Sequence, residues 1–229
     1  MISADGGQVI SFEAKSTQRA KHRVPSHGDL PIVLADVYQE DINIAIWERD
    51  LNAQLQRSID EFLASNPHFE CAMTVAADSA HASVSEALGK THLPELGDDI
   101  AELIDMFCYL FGLKRVGLRL ATLDRAMCPK FHVDRVPCRL ITTYQGPATE
   151  WLPHHVVNRS KLGPGSNGQP DHKSGLFQHP QDVQTLTCGD VALLKGELWV
   201  GNANAGLVHR SPKVPDGENR LLLSLDMSD

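Results

Sequence analysis

The segment Phe131-His132-Val133-Asp134 carries the sharpest chemical signal in the chain. On an extended segment, residues i and i+2 project from one face, so His132 and Asp134 can reach one metal ion together. A second histidine, His209, stands far along the chain in Gly206-Leu207-Val208-His209-Arg210-Ser211-Pro212. Two imidazoles and one carboxylate suit Fe(II) and leave further coordination positions open. A His-x-Asp pair alone is more often a plain surface hydrogen bond, and the surroundings are what single this one out. Arg220 follows His209 and opens the apolar run Leu221-Leu222-Leu223-Ser224-Leu225-Asp226. Burying a guanidinium is unfavourable unless it meets an anion. A bidentate contact with a ligand carboxylate would satisfy it, and a structural ion pair with one of the chain's own acids is the alternative.

Other residues bear on the choice of metal. The five cysteines, Cys71, Cys108, Cys128, Cys138 and Cys188, make no CxxC pair. That argues against a disulfide framework or a four-cysteine zinc site and for a reducing, cytoplasmic setting. Cys128 and Cys138 flank the His-x-Asp pair. As thiolates they would turn the site toward zinc. As small buried core residues they would be neither paired in a disulfide nor both on a metal, which is the expectation here. The pair His154-His155, together with His172 and His179, falls in loop sequence and is expected to be solvated.

The elements that must hold these residues can be sketched from periodicity. Residues 1–30 are polar and mixed and read as a loosely held arm. The stretch 42–47 alternates and is β-branched, as in a strand. Leu51, Leu55, Ile59, Phe62 and Leu63 recur at helical spacing until Asn66-Pro67. A second strand is expected over 69–75. Asp98-Asp99 opens a helix through Phe111, with Gly112 as its C-cap. Beyond Lys114 short strands dominate, at 116–122, 138–144, 190–195, 198–200 and 220–226, joined by Gly, Pro and Asn turns. The Gly- and Pro-rich stretch 162–180 reads as a long functional or mobile loop. The expected fold is α+β. A polar arm (1–30) and a mixed α/β buttress (31–114) precede an all-β metal-binding domain (115–229), packed as one unit with the buttress.

Composition sets outer bounds. The chain has 229 residues, 42% hydrophobic and 22% charged, with a net charge of −8. This is the profile of a folded globular chain and argues against general nucleic-acid binding. No apolar run approaches the roughly 18–20 residues that cross a bilayer, and the N-terminus lacks the basic and apolar regions of a signal peptide. The expected partner is a small-molecule or protein substrate, with no nucleic acid and no membrane.

The order of these elements resembles the Fe(II)/2-oxoglutarate-dependent oxygenase superfamily. The parallel elements are His132-x-Asp134, the strand Arg139 to Tyr144, the stretch Gly146-Pro147-Ala148-Thr149-Glu150-Trp151, Gly189-Asp190, His209 and Arg220. The similarity covers about residues 115–229 and implies a double-stranded β-helix of the jelly-roll, cupin-like kind. It further implies that His132, Asp134 and His209 ligate Fe(II) and that Arg220 binds the far carboxylate of 2-oxoglutarate, assisted by Tyr144 or Thr142. The superfamily often places Ser or Thr two residues after that arginine. Here that position is Leu222, and Ser224 is the next hydroxyl on the same face. The implied activity is hydroxylation of an unspecified substrate. A closer resemblance spans nearly the whole chain. The phrases Cys-Pro-Lys-Phe-His-Val-Asp-Arg-Val-Pro (128–137), Gly-Pro-Ala-Thr-Glu-Trp-Leu-Pro (146–153) and His-Arg-Ser-Pro-Lys-Val-Pro (209–215) are similar to a bacterial family called domain of unknown function 1826. That family implies no reaction. A non-catalytic metal-binding or sensing role on the same fold, zinc-related, is the alternative.

Overall fold

The computed structural model describes residues 22–89 and 94–228. The chain is α+β, built on one large mixed sheet and one small sheet. The strands are β1 (Val24–Gly28), β2 (Ile42–Trp47), β3 (Glu70–Ala76), β4 (Arg115–Leu123), β5 (Cys138–Gln145), β6 (Glu150–Leu152), β7 (Gln184–Thr185), β8 (Val191–Lys195), β9 (Val208–Arg210) and β10 (Arg220–Met227). The large sheet runs β1-β2-β8-β5-β10-β4-β3 and the small one β7-β6-β9. Among the described residues only the β1–β2 pair is parallel. From β5 onward the chain crosses back and forth, with β5, β8 and β10 in the large sheet and β6, β7 and β9 in the small one, and the small sheet packs over one face of the large one.

Helices cover the other face. They are α1 (Ala53–Ser65), α2 (Ala80–Leu88) and α3 (Pro94–Phe111), with a short α4 (Asp171–Ser174) in the long loop. Asn52 starts α1 by accepting from the backbone N–H of Gln54 and Leu55 at 3.0 and 2.9 Å, which satisfies two donors with no partner in the helix. Ile59, Phe62, Ile100, Ile104 and Phe107 pack onto Leu118, Leu140, Leu193, Leu221, Leu223 and Leu225 of the sheet. On the opposite face Ile44, Ile46, Ile141, Ala192 and Leu194 meet Trp151 and Leu207. Strand alternation therefore divides β10 in two. Leu221, Leu223 and Leu225 belong to the helix side, while Arg220, Leu222, Ser224 and Asp226 line a cavity between the sheets.

Several expectations need correction. Within the supposed arm, residues 24–28 form β1, hydrogen-bonded beside β2; residues 1–21 of that arm lie outside the described residues. Residues 31–114 supply β2 and β3 to the large sheet itself as well as its helices. Residues 198–200 are turn rather than strand, with Leu198 N–H donating to the Val136 carbonyl and Val200 95% exposed. Trp199 packs against Tyr38 and Phe111 from within this turn. The helix expected from Asp98 begins at Pro94, and α2 carries too few apolar residues to be found from periodicity. The long loop is ordered into short turns and α4. No helix among the described residues is long and apolar enough to cross a membrane.

One buried charge belongs to the scaffold alone. Lys195 is 1% exposed; its ammonium donates to the Gln39 carbonyl at 2.9 Å and lies 4.9 Å from the Trp199 ring centre. Burial brings its pKa down to about 8 from the ordinary 10.5. Below pH 8 the lysine is charged in both folded and unfolded chains, so the folded state carries the full penalty. Between that value and 10.5 the unfolded chain holds more protons, and stability rises with pH. Urea denaturation across pH 7–10 should show wild type gaining stability relative to Lys195→Met over this window.

Candidate metal centre

His132 precedes β5 in a segment that belongs to no ladder, yet it has one partner. His132 and His209 exchange both backbone hydrogen bonds, N–H to carbonyl at 3.0 Å each way, as a lone antiparallel bridge. Directly opposed residues project from the same face, and the two imidazole centres stand 4.6 Å apart. β9, which carries His209, is held on its other edge by β6, with Trp151 opposite His209. Asp134 completes the group. Its Oδ1 lies 3.4 Å from His132 Nε2 and its Oδ2 3.4 Å from His209 Nε2. One ligand atom from each residue falls within 4.8 Å of the others.

The chemistry of this donor set fits a divalent metal. His132 Nδ1 is 3.0 Å from the Lys130 carbonyl, and His209 Nδ1 is 3.3 Å from that of Leu207. A carbonyl only accepts, so each Nδ1 carries the hydrogen and each Nε2 keeps its lone pair. Both Nε2 atoms are the ones that face Asp134. Burial alone would raise the Asp134 carboxyl, but His132, His209 and Arg139 outweigh it and hold the group well below the usual carboxylate range. Contact with Asp134, opposed by burial, raises the His132 pKa. Three ligands on one side leave the other open to the cavity, which measures about 230 Å³.

Arg220 lies in the same cavity wall and is 1% exposed. Among the described residues no carboxylate meets it. Its Nη1 donates to Ser211 Oγ at 2.9 Å, and its Nη2 donates to Thr143 Oγ1 at 3.0 Å and to Thr149 Oγ1 at 2.8 Å. Its Nε has no partner. Burial brings its pKa down to about 10, so it remains charged at neutral pH. Gly146, at φ +83°, turns the chain against it: a Cβ there would sit 2.6 Å from the Asn219 carbonyl. A buried cation held only by neutral hydroxyls is a site for an anion.

Of the other residues named from sequence, Ser224 lines this cavity. Tyr144 and Thr142 do not reach it. Counting in twos along β5 sends Arg139, Ile141 and Thr143 to the cavity, and Tyr144 to the helix side. There its hydroxyl donates to Asp99 Oδ2 at 2.6 Å within an Asp99–Arg49 ion pair, and burial pushes the phenol well above its usual value. Thr142 is buried with its hydroxyl unpartnered. The hydroxyls that do meet Arg220 belong to Thr143, Thr149 and Ser211. Thr143 was visible to a parity argument that sets Arg139 inward, and Thr149 was already in the quoted Gly146–Trp151 stretch. All five cysteines are free. Cys138 is buried on the helix side, and the metal-capable cluster contains neither Cys128 nor Cys138. His154 accepts from Arg159 at 3.2 Å and lies outside that cluster. Sequence reasoning missed the part of the long loop in building the site: buried Asp171 accepts from the Phe131 backbone N–H at 3.0 Å and from Arg210 at 3.3 Å.

The described residues thus form a mixed α+β fold with two sheets, in which a His–Asp–His cluster able to hold a metal ion stands beside a cavity lined by a buried arginine. The chain belongs to the family described as protein of unknown function (DUF1826), whose model matches residues 28–226. No curated protein matches it in sequence. Among solved structures it is similar to the dioxygenase for auxin oxidation of rice, at 11% identity and TM-score 0.46, covering 81% of this chain and 73% of that one. It is similar also to the 2-oxoglutarate complex of dioxygenase for auxin oxidation 1 from Arabidopsis thaliana, at 10% identity and TM-score 0.46, covering 90% and 92%. A third likeness is to a protein of Caulobacter crescentus assigned to the 2OG-Fe(II) oxygenase family, at 13% identity and TM-score 0.47, covering 90% and 86%.

The loop that carries Asp134 depends on one small residue. A Cβ on Gly196 would lie 2.1 Å from the Val136 carbonyl oxygen and 2.9 Å from that of Asp134. Gly196→Ala should therefore lower stability by about 1–3 kcal/mol and weaken metal binding with it. Urea denaturation of the metal-free protein, followed by metal titration, checks both.

Proposed function

We propose that the protein is an Fe(II)/2-oxoglutarate-dependent oxygenase of the hydroxylase kind. The observation that carries this reading is Arg220: a buried guanidinium with no partner at Nε and no acidic partner among the described residues, in the wall of the cavity that His132 and His209 of the His–Asp–His cluster also line. His132, Asp134 and His209 would hold Fe(II). When bound, Fe(II) and 2-oxoglutarate together supply activation of dioxygen coupled to decarboxylation of the cosubstrate.

The chain's own residues bind, orient and exclude water. Arg220 takes the far carboxylate of 2-oxoglutarate, whose negative charge offsets the burial of the guanidinium. Thr143, Thr149 and Ser211 fix the plane of that guanidinium, so little rotamer freedom is lost when the ligand arrives. Ser224 offers a further hydroxyl on the same strand face. Ile141 and Leu222 supply apolar wall to the cavity, and a drier wall strengthens each charge contact. In this reading the two sheets are the double-stranded β-helix of that superfamily, residues 115–229 are its metal-binding domain, and the setting is a reducing, cytoplasmic one.

Metal analysis of protein purified without chelator, followed by anaerobic titration with Fe(II) and then 2-oxoglutarate, tests the assignment. Arg220→Ala should lose 2-oxoglutarate binding by at least about 100-fold, since one partner of a buried charge pair is worth about 3–5 kcal/mol, while metal content stays near wild type. His132→Ala should lose both. If Arg220→Ala binds 2-oxoglutarate as well as wild type does, the cosubstrate assignment fails.

A further inference from the structure

Arg139 stands outside the three-residue cluster yet touches it. Its Nη1 donates to Asp134 Oδ2 at 2.7 Å, while its Nε and Nη2 donate to Asp226 Oδ1 and Oδ2 at 2.8 Å each. Arg139 on β5 and Asp226 on β10 are direct cross-strand partners in the sheet. Their meeting is therefore set by backbone register rather than by two free surface side chains finding each other. A two-pronged contact fixes the guanidinium plane. With Nε and Nη2 committed to Asp226, Nη1 is left aimed at Asp134.

Asp134 needs such an anchor. It belongs to no strand, and its backbone is tied down through its carbonyl, which accepts from Glu197 N–H at 2.9 Å. That contact leaves the carboxylate free to turn. We infer that Arg139 is a positioning residue for the metal centre, fixing Asp134 toward the two imidazoles, with Asp226 as its counter-charge. The inference rests on the metal reading of His132, Asp134 and His209. Asp226 matters because a lone cation beside the site would repel a divalent metal. Paired with Asp226, Arg139 adds orientation without adding net charge.

The test separates orientation from charge. The double variant Arg139→Met/Asp226→Asn removes the fork and keeps the net charge of the pair unchanged; Arg139→Lys keeps the charge and loses the fork. The probe is Co(II), a spectroscopic stand-in for Fe(II), titrated anaerobically into the full-length chain and followed by its visible d–d absorption. The double variant should bind Co(II) about 10–100-fold more weakly than wild type, with an altered band, and Arg139→Lys should fall between the two. A double variant within about twofold of wild type and with an unchanged band overturns the inference. If circular dichroism shows the double variant unfolded, Arg139→Lys decides: weaker binding with a changed band supports the inference, and wild-type behaviour overturns it. Failure of the underlying reading shows elsewhere. Wild type that binds no Co(II) or Fe(II) sinks the metal site and this inference together, whereas wild type that binds metal but not 2-oxoglutarate sinks only the cosubstrate.

Discussion

Two backbone hydrogen bonds hold the site together. The reciprocal N–H to carbonyl pair between His132 and His209, 3.0 Å in each direction, brings residues far apart in the chain face to face. Because the bridge is antiparallel and direct, both imidazoles must leave on one side. Shifting the register by one residue would send one ring to the far face. Everything near the cluster protects that register. β6 holds the outer edge of β9, and Ser211 N–H continues the pairing to the Cys128 carbonyl. Asp171 ties down the Phe131 backbone next to His132. Phe131 itself is sealed by Phe177 and by the Arg210 guanidinium, 4.3 Å above its ring.

Charge in this cavity is arranged by sheet register as much as by side-chain choice. Arg139 and Asp226 meet because β5 and β10 pair there. Arg220 escapes the chain's many acids because its strand neighbours on the cavity side are Leu222 and Ser224, and its cross-sheet neighbours are hydroxyls. The two arginines thus have opposite fates. Arg139 is saturated by carboxylates and serves the protein's own Asp134. Arg220 has only neutral partners and an orphaned Nε, a state that burial makes unfavourable until an anion arrives. The acid-rich helix side has its own arginine, Arg49, clamped by Asp99, so the two faces of the sheet do not share charges.

The helix side supplies rigidity. Leu221, Leu223 and Leu225 of β10 are 0% exposed beneath α1 and α3. Each alternate residue of the same strand faces the cavity, so its direction is fixed by packing it takes no part in. A well-packed face is therefore what lets Arg220 and Asp226 keep their places on the other.

The sequence by itself pointed to His132, Asp134 and His209, which the structure gathers into one cluster, and to most of the elements near them. The His-x-Asp spacing drew His132 and Asp134 together although Asp134 lies in no strand, and the apolar run after Arg220 could only be a buried strand. The strands at 42–47, 116–122 and 138–144 were legible for the same reason. What sequence could not give was the partner of each face. Tyr144 and Thr142 were implied as pocket residues by the resemblance. Tertiary structure put Tyr144 against Asp99 of α3 and gave the pocket to Thr143, Thr149 and Ser211. Period two says which residues go together; it does not say which side the helices will cover, and α2, with its weak pattern, gave no warning. The turn at 198–200 likewise reads as strand until the structure shows it bonded to Val136 as a turn rather than in a ladder. The meeting of His132 with His209, the Arg139–Asp226 pair and the isolation of Arg220 were decided by long-range pairing alone, because hydrogen bonds between distant strands leave no mark on local composition.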